Sequence, residues 1–95
     1  MDRTPAPAPT VIFLPAGLLL AVKAGAAGEV LAVMQGAVRD PERGTWVVTV
    51  PMGLELAVRA TLHDGLQQQL ADEPPHRHAT YRRFADRAMT SLLAS

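Results

Sequence analysis

The sequence predicts a small two-layer α+β domain with the element order β-α-β-α-α. Three observations lead there: β-branched runs at 10–14 and 45–50, an apolar stripe at spacing four after each, and a Pro-x-Gly between run and stripe both times. β-branched and aromatic composition suits strands. Recurrence at spacing four suits one face of a helix.

The first strand is Thr10-Val11-Ile12-Phe13-Leu14, and Pro15 stops it because proline has no N–H for a ladder bond. Proline also suits the first turn of a helix. Leu18, Val22, Ala26, Val30, Met34 and Val38 then form one stripe, weakened by Gly25, Gly28 and Gly36. Each glycine costs about 1 kcal/mol in a helix interior. Arg39-Asp40-Pro41-Glu42-Arg43-Gly44 reads as a polar turn. It leads into the second strand, Thr45–Val50, which carries the lone Trp46 and ends at Pro51. Leu54, Val58, Leu62, Leu66 and Leu70 form the second stripe, with Glu55 and Arg59 in the favourable i,i+4 order. Asp72-Glu73-Pro74-Pro75 ends that helix. A last helix from about His78 to Leu93 puts Tyr81, Phe84, Ala85, Ala88, Met89 and Leu92 on its apolar face.

Residues 11–24 overlay residues 47–60 at an offset of 36. Proline, glycine, two leucines, an Ala-Val pair, a basic residue and an alanine coincide. Internal similarity at such a period marks a repeated supersecondary unit, here a strand-Pro-x-Gly-helix pseudo-repeat. The alternative is a small antiparallel β-barrel with a C-terminal helix. In it, Pro-x-Gly closes a hairpin, Leu54, Leu56, Val58, Ala60 and Leu62 alternate, and Lys23–Met34 makes a strand-turn-strand around Gly25 and Gly28. Spacing four fits both periods, and the Ala, Leu, Glu and Arg composition favours helices. Should the two strands pair in parallel, their crossover is right-handed.

A chain of 95 residues makes one domain, here 10–95, behind a Pro/Ala tail at 1–9 that reads as disordered. Cysteine is absent, which excludes disulfides, thiolate metal sites and cysteine nucleophiles. A small core without such staples points to a homodimer. Trp46 on a strand at a sheet edge fits pairing across a two-fold axis. Asp2 cancels Arg3, prolines precede the apolar run, and the stretch from Thr10 to Val22 is only thirteen residues long before Lys23. A membrane span needs about 20 residues. The expected chain is cytoplasmic, with neither a secretory signal nor a membrane partner.

Nine basic and nine acidic side chains cancel, which excludes a uniformly basic nucleic-acid binder. The cancellation is uneven: residues 1–75 carry 5 basic against 8 acidic groups, and residues 76–95 carry 4 against 1. No nucleophile elbow, phosphate loop or carboxylate dyad occurs. The expected function is therefore non-enzymatic: a small interaction or regulatory domain acting as a homodimer, with a protein partner.

The alternative is a nucleic-acid- or small-anion-binding module. The first turn of a helix leaves N–H groups unpaired and partly positive, so Gly17 with Lys23 and Gly53 with Arg59 are anion candidates. Arg77, Arg82, Arg83 and Arg87 offer a basic face interleaved with Tyr81 and Phe84, suited to phosphate contact and stacking. His63, His76 and His78 with Asp72 or Glu73 invite a metal, but His76-x-His78 lacks the helical i,i+4 spacing. They read as exposed turn histidines, and neither metal nor cofactor is expected.

Overall fold

The structure, a computed structural model, describes residues 9–94. The tail read at 1–9 lies, but for Pro9, outside the described residues. From Thr10 the order is β1 (Thr10–Leu14), α1 (Ala16–Gly25), α2 (Gly28–Gln35), β2 (Val38–Asp40), β3 (Thr45–Val50), α3 (Glu55–Asp72), a 3-10 turn at Pro75–Arg77, and α4 (His78–Ala94). The fold is α+β. The stretches compatible with either helix or strand are helical, and the barrel is ruled out by a three-stranded open sheet.

The sheet is antiparallel throughout, with the order β1-β3-β2. Ile12 faces Val48, Leu14 faces Trp46, and Val38 faces Val47. Since side chains alternate along a strand, Ile12, Leu14, Val48 and Val50 share one face, and all four are buried. α1, α2 and α4 contact the sheet, and α3 lies against α1 and α4. The two strands pair antiparallel, so the question of crossover handedness does not arise.

Three details depart from the sequence reading. The stripe from Leu18 to Val38 is two helices, because Ala26 and Ala27 are extended and Gly28 is left-handed at φ 56°. Val38 accordingly sits on β2, exposed, rather than on a helix. The polar turn is shorter than 39–44, since Val38–Asp40 folds back as a third strand. Asp40 closes that reversal: its Oδ1 accepts from the N–H groups of Glu42 and Arg43, and its carbonyl from Gly44. Trp46 therefore lies on the central strand, half-buried against the core, and not at an edge.

The later stripes match their helices. Val58, Leu62, Leu66 and Leu70 of α3 and Ala85, Ala88 and Leu92 of α4 are buried. α1 adds Leu18, Leu19 and Val22. α1 and α3 touch at Gly65, where a Cβ would stand 2.7 Å from Val22 Cγ2 and 2.9 Å from Val22 Cα. The two Pro-x-Gly segments each join a strand to a helix, yet they differ in conformation. Gly17 is inside α1, whereas Gly53 occupies a turn at φ 98° before α3. Among the described residues no helix is long and apolar enough to cross a membrane.

Candidate anion site

Of the two helix N-termini that the sequence offers, that of α3 is engaged by the protein's own carboxylate, and that of α1 has no side-chain cap. The N–H of Gly53 donates to Glu55 Oε2 at 2.8 Å, so the acidic residue of the first turn of α3 already serves as its anion. Gly17 lies close against α3 and α4: a Cβ there would stand 3.0 Å from Gln69 Nε2 and 3.1 Å from Tyr81 Oη. Lys23 falls in the last turn of α1, at the opposite end from Gly17. Arg59 is half-buried on α3, with its Nε buried and lacking a hydrogen-bond partner.

The four arginines of the C-terminal segment fall on two elements, Arg77 on the 3-10 turn and Arg82, Arg83 and Arg87 on α4, where Arg83 and Arg87 are neighbours at i,i+4. Arg77 Nη1, on an exposed side chain, stands 3.8 Å from Oε2 of the mostly buried Glu73. Glu73 also accepts hydrogen bonds from Gln69 Nε2 at 2.8 Å and from Tyr81 Oη at 3.0 Å, and its carbonyl lies 2.9 Å from His78 Nε2. Burial, followed by this bond to Glu73, pushes the Tyr81 phenol above the ordinary tyrosine range. These contacts tie the end of α3 to the start of α4 and leave Glu73 and His78 engaged. His63 Nδ1 lies 3.7 Å from Asp64, and no cluster of three or more metal-ligating side chains occurs among the described residues. Arg82 and Arg83 are exposed on α4.

Arg87 is exposed as well. It lines a cavity of about 270 Å³ with Phe84, Ala88 and Ser91 of α4, Ile12 and Phe13 of β1, Thr45 of β3, and Arg43 of the β2–β3 turn. That volume sits near the lower end for small-molecule sites. The α4 contributors recur at spacings of three and four, so they form one stripe, which shares Ala88 with the buried one. Alternation sets Thr45 on the sheet face of Phe13 and Val47, opposite the core, yet it is only 5 % exposed. Its Oγ1 is buried without a hydrogen-bond partner. A hydroxyl left so costs about 1–3 kcal/mol relative to a satisfied one. The Arg43 guanidinium lies 4.8 Å from the centroid of the Phe13 ring and 3.7 Å, through Nε, from Asp40 Oδ2.

The cavity thus combines two guanidinium groups, two hydroxyls and two aromatic rings. A larger hollow of about 640 Å³ runs between α1 and α3, with Gly17, Ala21 and Ala24 on one side and Asp64, Gln68 and Asp72 on the other. It contains neither of the described polar side-chain atoms that lack a partner. Of the candidate residues read from the sequence, Arg87 and the Phe84 interleaved with the basic face line the smaller cavity. Arg43, Thr45, Phe13 and Ser91 carry no mark of a site in the sequence, since they converge only through the fold. The spacing of Phe84, Arg87 and Ser91 is the one available signal. No family model, curated protein or solved structure matches the chain.

Proposed function

We propose that the chain is a non-enzymatic binding domain that holds a small anion in the cavity between its β2–β3 turn and α4. The buried hydroxyl of Thr45 carries this reading, because it is an unused polar group in a lining that also holds two guanidinium side chains. Arg87 and Arg43 act as the counter-charges, and guanidinium suits flat oxyanions through paired N–H groups. Titration with acetate, followed by backbone amide shifts, tests it. Shifts at Thr45 and around Arg87 are expected, with affinity about tenfold lower in Arg87→Gln, the loss of one charge-assisted contact. Absence of any shift at these positions, or equal binding by the variant, would refute the site.

Self-association is a second reading, favoured by the sheet face opposite the core. Val11 and Val38 lie on it at 41 % and 66 % exposure. Exposed β-branched side chains on one flat face are suited to pairing with a second copy. Sedimentation at high micromolar concentration should give a dimer that Val38→Lys converts to monomer. A monomeric parent protein would discard this reading.

A further inference from the structure

We infer that the anion is an aryl carboxylate, a flat ring bearing one negative charge, an assignment that rests on the anion reading above. Three features of the cavity select it. First, both phenylalanines of the chain, Phe13 and Phe84, line the cavity. The Arg43 guanidinium already stands 4.8 Å from the Phe13 centroid, and a planar ring adds offset or edge-to-face packing against Phe84 that a bare inorganic ion cannot supply. Second, the charge count is that of a monoanion. Arg87 and Arg43 bring two positive charges, and Asp40, 3.7 Å from Arg43, offsets part of the second. A dianionic phosphate ester would exceed what remains. Third, a carboxylate has acceptor sites on both oxygens, so it can take N–H groups from Arg87 and the hydroxyl proton of Thr45 together. The cavity is of a size for one ring and its substituent rather than for a nucleotide.

In this arrangement the ring lies among Phe13, Phe84 and Ala88, and the carboxylate turns toward Arg87, Thr45 and Ser91. The ligand then bridges the β2–β3 turn and α4, two elements that the sequence holds some forty residues apart.

Benzoate, acetate and phenyl phosphate, titrated separately into the full chain with amide shifts and calorimetry as readouts, test the assignment. Benzoate should bind at least about tenfold more tightly than acetate, as burial of a ring predicts. Phenyl phosphate should bind no more tightly than benzoate. Phe84→Leu should weaken benzoate severalfold, and by more than it weakens acetate. Thr45→Val should weaken both carboxylates without lowering the thermal midpoint, because it deletes an unpartnered group. Acetate binding at the cavity with no gain for benzoate would overturn the aryl assignment and leave the anion site standing. Tighter binding of phenyl phosphate would overturn the monoanion. Failure of all three probes to perturb Thr45 and Arg87 would remove both the assignment and the site.

Discussion

Gly65→Val is expected to lower the thermal midpoint by roughly 12–24 °C, the equivalent of about 3 kcal/mol in a domain of this size. Even the first carbon of the new side chain collides with Val22. It would stand 2.7 Å from Cγ2, 2.9 Å from Cα and 3.0 Å from the backbone nitrogen. The first of these atoms can rotate away. The other two belong to the backbone of α1, so relief requires α1 and α3 to separate along a contact that includes Leu18, Val22 and Leu62 of the core. Valine recovers only a few tenths of a kcal/mol of helix propensity over glycine, too little to offset that. Gly25→Ala is the matched control. It closes α1, its new methyl would meet no atom within 4 Å, and it is expected to be neutral or to gain up to about 1 kcal/mol. Thermal denaturation followed by circular dichroism reads both. A Gly65→Val protein as stable as its parent would contradict the close approach.

Leu62→Ala should cost about 2–5 kcal/mol, while Leu56→Ala on the same helix should stay within about 0.5 kcal/mol of the parent. Leu62 is fully buried in the core, and Leu56 is 72 % exposed. The comparison also separates the two periods that the sequence allows. On a strand, positions 56 and 62 point the same way and should respond alike. On a helix they do not. Chemical denaturation gives both values, and two equal costs would contradict the helical α3.

That ambiguity explains how much of the fold is legible in the residues alone. Leu54, Val58, Leu62, Leu66 and Leu70 are spaced by four, a multiple of two as well as nearly one helical turn, so only composition separates the readings. Tyr81, Phe84, Ala85, Ala88, Met89 and Leu92 include spacings of three, which no strand tolerates, and α4 is unambiguous. The break after α1 is harder to read. Gly25 and Gly28 announce a weak helix, but the extended Ala26 and Ala27 carry no turn chemistry of their own. β2 is hidden because three residues, two of them charged, make no alternating pattern. The cavity is hidden for a different reason. Arg43 reads as solvated turn charge and Thr45 as strand composition, and only the pairing of β3 with its neighbours sets them beside Phe84 and Arg87.

The position of β3 in the middle of the sheet has a consequence for synthesis. Ile12 finds its strand partner in Val48, 36 residues later. At ordinary ribosomal speed β1 waits roughly 2–7 s, exposed, before that partner is made. Val11-Ile12-Phe13-Leu14 is the kind of short, uncharged, β-prone window that pairs with other chains when left open. Pro9 and Pro15 stand immediately outside β1 at either end. Neither can donate to a growing ladder, so any mispaired stack is confined to five residues. The prolines that punctuate the fold thus also act as gatekeepers for the nascent chain.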